Sequence, residues 1–516
     1  MGFIIEDSIV KRYIEEPGKK LVIIPEGTAA IGRSAFRKCS HITHVIIPKS
    51  VSFIGRGAFF RCTSLESVYI PDSVGLIEER TFSGCESLRH VHLPKDIPFI
   101  PSYMFKNCKS LESIVLPDKR LKLIGRGAFM NCTSLMDISF PDTVDNIGGE
   151  AFMGCTSLRS VTCPESVRWV NYAVFSGCTA LESVYLPDSV TSIGIKAFCD
   201  CSSLSEFDFP QNLKTLCHSA FMNCTSLTEV ILPDSLKTME DQVFNGCEML
   251  INVDMPDTID FIGDFVFEST IWLYSGYEWK ISGGYLMRYC GSDERVTVPD
   301  GVTTICGGAF SDCLSSISIE LPDSVVTIRE SAFSYCRALR EIIIPRGVVS
   351  IGQCAFECCE ALEEVDLPDT VKKIDYLTFF GCTSLERVNR PPLPLEVAFN
   401  AFTNTKLEDE CEDFLMIGDM IVRYCGDERE IEIPEGVRAV GEDAFADKPI
   451  ESVYLPAGME KIYDRAFSGC TELEWINIPE SVDYIGDFAF SETRITRSMM
   501  PKNVAYISRY AFVKDI

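Results

Sequence analysis

The chain has 516 residues, 46% of them apolar, and 47 Lys and Arg against 75 Asp and Glu give a net charge of −28. That length exceeds one ordinary core and that apolar content excludes a disordered chain, leaving either several domains or a repeat array. So negative a field repels phosphate backbones and anionic membranes, and no run of eighteen apolar residues occurs, so neither nucleic acid nor membrane insertion is expected.

The first predicted element is a β-hairpin over Phe3–Tyr13, two alternating strands around a polar turn. No basic stretch followed by a long apolar one precedes or contains it, so no signal peptide is read. The expectation is a cytoplasmic protein as written, with a secreted or cell-surface protein as the alternative if an export signal lies outside this chain.

A repeat follows. Prolines recur from Pro25 to Pro256, from Pro299 to Pro391 and from Pro434 to Pro501, mostly 23 residues apart, with two gaps of 43. A phenylalanine stands about eleven residues after each one, from Phe36 to Phe512, which makes twenty rungs. In a typical rung, Ser67-Val68-Tyr69-Ile70 alternates as a half-buried strand should, with Val68 and Ile70 inward and Ser67 and Tyr69 outward. Pro71 ends the strand because it has no N–H to donate, and Pro-Asp-Ser turns the chain. Val74 and Ile77 return to the core. Many rungs continue as Ile54-Gly55-Arg-Gly-Ala58-Phe59, where the glycine is read as adopting a backbone conformation closed to other residues and the alanine as making room for the ring. One rung cannot bury its apolar side, but stacked rungs can, pairing as a parallel sheet at ~4.8 Å per rung with the phenylalanines forming a continuous spine. Twenty rungs at that spacing make a ladder on the order of 95 Å long.

The pattern Leu-x-x-Val-x-Ile-Pro-x-Ser-Val-x-x-Ile-Gly-x-x-Ala-Phe-x-x-Cys resembles the BspA-like class of leucine-rich repeat (the type 5 class), over nearly the whole chain. The resemblance implies a mainly β, right-handed repeat solenoid with a parallel strand ladder on one side, about twenty rungs of ~23 residues here. It also implies roles in adhesion or protein binding, as in surface and secreted proteins of bacteria.

Both 43-residue gaps hold a copy of the N-terminal hairpin, over 279–291 and 414–426. Each is read as a starter unit, the N-terminal one capping the sheet edge. The expected arrays are 1–267, 268–402 and 403–516, with eleven, five and four rungs. No linker composition separates them, so one continuous or gently broken solenoid is expected. The chain stops just after Phe512 with no polar cap, which leaves open truncation or pairing with another molecule.

Fifteen of the 24 cysteines occupy one repeat position, from Cys39 to Cys470. Metal array, disulfides and buried thiols are the three readings. The four rungs that lack the cysteine carry Thr270, Thr405, Lys448 or Thr493 in a shortened loop, so the cysteine travels with loop geometry, as packing predicts. Ladder neighbours at ~4.8 Å with parallel side chains do not suit a relaxed disulfide.

Catalytic signatures are absent: no nucleophile elbow, phosphate-binding glycine loop, dinucleotide fingerprint or metalloprotease helix is present, and only five histidines occur. No enzyme activity and no cofactor are expected. His90 and His92 share one outward strand face with no evident third ligand, so surface histidines are the plainer reading than a metal site. An Asp or Glu follows the proline in 13 of the twenty rungs, among them Asp72, Asp188 and Asp257. Turn chemistry explains these; an acidic rim attracting a cationic partner, or more weakly calcium, is the sharper reading. Outward aromatics name candidate contacts for a protein or peptide: Tyr69, His92, Tyr185, Tyr454 and Trp475. Cross-strand packing is the plainer account of them. The expected function is a non-catalytic binding or adhesion scaffold using the sheet face and acidic rim. The alternatives are an enzyme of unrecognised type, such as a carbohydrate-active one with paired carboxylates in a pocket, or a passive spacer.

Overall fold

The computed structural model describes residues 2–16, 18–256, 258–389 and 396–513, so Asp257 and Pro391 lie outside the described residues. The chain divides into two compact units, Met1–Gly276 and Tyr277–Ile516. Each is a β-solenoid, and the only α-helices among the described residues are the single turns Ile271–Tyr274 and Lys406–Asp409.

Most rungs give two strands, not the one expected; among the described residues the strand before the proline is missing ahead of Pro117 and Pro210, shrinks to the single bridge between Ser139 and Thr162 ahead of Pro141, and is replaced by the 3-10 turn Arg497–Met499 ahead of Pro501. The strand before the proline behaves as its alternation predicts: Ser67–Tyr69 pairs in parallel with His44–Ile46 and His90–His92, Val68 is buried and Tyr69 exposed. A second strand of only two residues follows the turn. Leu76–Ile77 pairs in parallel with Phe53–Ile54, and in the same unit Trp169–Val170 through Phe261–Ile262 form a five-stranded ladder of such pairs. Peptide groups buried in a rung need partners, and the identical stretch of the rung before supplies them. Gly55 N–H, for instance, donates to the Ile31 carbonyl at 2.8 Å.

Where the Ile-Gly motif occurs, the glycine answers to space and not to conformation, whereas other rungs carry a larger residue there, such as Glu78 or Asn171. A Cβ on Gly55 would lie 2.8 Å from Arg33 N and 3.0 Å from Gly32 C, in the rung before, and Gly148 and Gly352 are as crowded. The left-handed backbone falls instead two residues before and two after the phenylalanine, where Arg80 (φ 60°) and Gly84 (φ 79°) flank Phe82.

The rings stack as the period demands. From Phe36 to Phe267, eleven phenylalanines lie 4.8–5.8 Å apart, centre to centre, without a break. In the second unit the spine is divided, with one stack of five over Phe310–Phe402 and one of four over Phe445–Phe512.

A hairpin stands at the head of each stack. Phe3–Glu6 with Ile9–Tyr13, Trp279–Ser282 with Tyr285–Tyr289, and Phe414–Ile417 with Met420–Tyr424 are antiparallel pairs, each with a register shift at the same place. In each, an aromatic pair faces the spine: Tyr13, Tyr289 and Tyr424 lie 5.1–5.4 Å from the first phenylalanine of their stack. Opposite those tyrosines stand Phe3, Trp279 and Phe414. The hairpins cap the two-residue ladder, since Ile9 pairs with Ala30, Tyr285 with Thr304 and Met420 with Ala439. The edge strand of the other ladder, Leu21–Ile23, is not their partner.

All fifteen ladder cysteines are buried free thiols. In all but Cys39 and Cys313, the first of the first two stacks, the Sγ–H donates to the phenylalanine carbonyl of the rung before, as Cys62 does to Phe36 at 3.0 Å and Cys178 to Phe152 at 3.2 Å, while Cys313 meets the Ser316 hydroxyl at 3.1 Å. Where threonine replaces cysteine, the hydroxyl turns back to its own rung: Thr270, Thr405 and Thr493 donate to the carbonyls of Phe267, Phe402 and Phe490 at 2.7–2.8 Å. Burial pushes Cys155 and Cys470 up to about 12. One disulfide, Cys411–Cys425, joins the third hairpin to the segment after Lys406–Asp409, outside the ladder on which the sequence reasoning was centred.

Candidate partner-binding face

The residues singled out from the sequence fall into three places. In the first unit Tyr69 and His92 are cross-strand partners whose rings stack at 4.4 Å and 1°. Asp72, on the turn after Tyr69, accepts from Lys95 N–H at 3.1 Å with Lys95 Nζ at 3.6 Å, and that backbone bond holds its carboxyl below the usual range. Four rungs on, Tyr185 donates its hydroxyl to Glu165 at 3.0 Å, and the neighbouring carboxylate raises the phenol; Asp188 accepts from Gln211 N–H at 2.8 Å. In the second unit Tyr454 and Trp475 meet diagonally across Ser452–Tyr454 and Trp475–Asn477, ring centres 4.6 Å apart.

Of the acids after the proline, Asp72 and Asp188 tie down the next rung's backbone N–H. The Ser or Thr beside them does the complementary task. Ser73, Ser189, Ser324 and Ser481 donate to a carbonyl of the rung before at 2.6–2.8 Å. Among the described residues no group of three or more His, Cys, Asp or Glu could hold a metal ion.

Two further outward side chains, apolar but not aromatic, stand at the same position before the proline. Ile23 and Ile46 stand in register with Tyr69 and His92, so the column starts with two exposed apolar side chains. The first unit therefore shows Ile23, Ile46, Tyr69 and His92 side by side on rigid strands, with Val22, Val45 and Val68 buried beneath. The second unit shows the smaller Tyr454–Trp475 platform over buried Val453 and Ile476.

A cleft of about 240 Å³ in the second unit gathers Glu396, Glu442, Asp464, Tyr376, Tyr463 and Tyr484. Burial raises the Glu442 carboxyl, against the pull of Arg465, whose Nη2 lies 3.1 Å away. No helix among the described residues is long and apolar enough to cross a membrane.

The model of the BspA type leucine rich repeat region matches residues 19–135, 122–225, 170–277, 280–409 and 411–515. A search of the curated proteins finds no match. Among solved structures the chain is similar to a leucine rich repeat protein of T. pallidum, at 29% identity over 38% of this chain and 82% of that one, TM-score 0.30. It is also similar to a leucine rich cell surface protein from Faecalibacterium prausnitzii, at 23% identity over 96% and 94%, TM-score 0.29. A third is a leucine-rich repeat protein from Bacteroides ovatus, at 24% over 95% and 89%, TM-score 0.26. Matched from residue 19 almost to its end, and built of the rungs described above, the chain belongs to the BspA-type leucine-rich repeat family.

Proposed function

We propose that this protein is a non-catalytic scaffold that binds a protein or peptide on the outward face of the strands before the prolines. The observation that carries the reading is the Tyr454–Trp475 pair, both rings about half exposed and held diagonally across two strands whose inward residues are fully packed. Aromatic rings so placed offer contact area at little cost in side-chain entropy. Adhesion is the use the family suggests. The test is affinity capture with the native chain and with a Tyr454→Ala/Trp475→Ala double variant of unchanged thermal stability. A partner kept by the first and lost by the second supports the reading; a double variant that retains every partner removes the patch from it.

A carbohydrate-active enzyme is the second reading, and the cleft at Glu442 is what favours it, because a half-buried acid with a raised carboxyl, lining one cleft with Glu396 and Asp464, offers the paired acids that such chemistry uses. The Arg465 contact opposes it by stabilising the ionised carboxylate. Hydrolysis of an oligosaccharide panel that disappears in Glu442→Gln would establish the enzyme; no hydrolysis by the native chain leaves the scaffold.

A further inference from the structure

The charge of −28 is unevenly spread. Residues 1–126 carry 19 Lys and Arg against 13 Asp and Glu, a net of +6, so the remaining residues carry −34. Part of that positive end is gathered on the turns flanking the first four phenylalanines of the spine, away from the strands before the prolines. Two adjoining hollows there, of about 410 and 160 Å³, share Phe60 and Arg80. Their walls bring Arg33, Arg37, Arg61, Arg80 and Lys106 together from four rungs. Among the described residues none of these five forms an ion pair; Arg56 beside them does, with Glu79 at 3.0 Å.

Like charges this close repel unless something organises them, and here aromatic rings do. Arg37 and Arg61 lie over the Phe60 ring at 5.5 and 5.4 Å, and Arg80 and Lys106 over Tyr103, both at 5.4 Å. The rings hold the cations in place without neutralising them, so part of the ordering cost is met before a ligand arrives. Glu150 also lines the larger hollow, where Arg126 Nη2 pairs with it at 2.6 Å, and the same turns farther along the unit carry Asp200, Asp241 and Asp264, which bounds the positive stretch at about four rungs.

We propose that this groove is a binding site for an extended acidic segment of a protein partner, separate from the strand face and independent of the reading given for it. Four rungs span roughly 14 Å, which an extended peptide covers in four or five residues. Two or three of those can be acidic, and guanidinium groups meet carboxylates in bidentate fashion. Three features argue for a short peptide over a nucleic acid. The rings already carry cations and are not free to stack bases. The hollows are recessed, so a chain segment enters where a folded surface does not. Beyond four rungs the chain's own acidity repels a longer polyanion.

The test uses the full chain and a fluorescein-labelled octaglutamate peptide, read by anisotropy across a salt series. The expected result is binding that weakens as salt rises. It should fall at least about tenfold in Arg37→Gln/Arg61→Gln/Arg80→Gln, the loss of three charge-assisted contacts, and less in the matching triple lysine variant. The glutamine variant should melt like the native chain, because these side chains pair with no acid. Tyr454→Ala/Trp475→Ala should bind the peptide unchanged, which separates failure of this site from failure of the strand-face reading. Equal affinity in the glutamine variant, salt-independent binding, or no binding at low salt overturns the proposal. So does tighter binding of a single-stranded oligonucleotide or a sulfated oligosaccharide of equal charge.

Discussion

In the first four rungs Arg37, Arg61 and Arg80 lie over aromatic rings and meet no carboxylate, whereas in the last four Arg429, Arg438, Arg465 and Arg494 each meet one. Arg429 is shared by Glu451 at 2.6 Å and Glu472; Arg465 by Glu442 at 3.1 Å and Asp443. Both regions stand on the same rung: strand, proline turn, two-residue strand, phenylalanine. The core leaves little choice of residue, because each ring and each thiol must match its neighbour one rung away. The turns outside it leave nearly every choice open. One backbone therefore supports an unneutralised positive groove at one end and a lattice of closed ion pairs in the other unit.

The units also differ in thiols, and high pH should separate them most. Ten of the fifteen ladder cysteines are in the first unit and five in the second. Burial raises nine of those in the first unit and three in the second above the ordinary thiol value of 9.0, Cys155 and Cys470 to about 12. A group raised on folding gives stability that is complete below its unfolded value and is lost as pH climbs through the folded one. The first unit should thus lose protection from hydrogen exchange before the second between pH 9 and 12. Simultaneous loss in both, or none, would show that the thiol ladder is not what distinguishes them.

Single residues test the stacks on a smaller scale. Phe152 has ring neighbours at 5.2 and 5.6 Å and Phe140 edge-on at 5.6 Å; Phe512 ends its stack with one neighbour at 5.6 Å. Phe152→Ala should cost roughly 3–5 kcal/mol by urea unfolding, and Phe512→Ala about half that or less. Smaller again is a pair of glycines. Gly55→Ala drives a methyl into the backbone of the rung before and should cost about 1–3 kcal/mol. Gly458, with nothing within 4 Å of an added Cβ, should accept alanine within about 0.5 kcal/mol. Equal costs would mean that the Ile-Gly motif is conformational after all.

Much of this was legible because the signal repeats. The phenylalanine spine, the inward Val68 and Ile70 and the free buried thiols follow from periods counted in the chain. The second ladder was not legible, since two residues such as Leu76–Ile77 cannot display an alternation. Nor was the work of Asp72 and Asp188, whose partners are backbone N–H groups 23 residues on and leave no mark in residue identity. The meeting of Tyr454 with Trp475 could be counted from their prolines, as could the outward placing of Ile23 and Ile46. The basic groove was hidden by averaging: a net of −28 conceals a positive start, and its cations stand at four different places in the rung.

The contrast between the arginines can be broken by the smallest change of all. Arg465→Ala removes the partner of Glu442 and Asp443, and Glu442 then faces Asp443 and Asp464 with Lys373 as the remaining opposing charge. The guanidinium is 43% exposed, so solvent screens the pair and the loss should be about 1 kcal/mol, read as a lowered unfolding midpoint. Arg61→Ala removes a cation that opposes its neighbours and satisfies no acid, and the midpoint should stay put or rise slightly. The two effects also respond differently to salt: the Arg465 cost shrinks as ionic strength rises, and any Arg61 gain vanishes with it. If Arg61→Ala destabilises as much as Arg465→Ala, the groove arginines are structural. Their lack of an ion pair would then say nothing about a ligand.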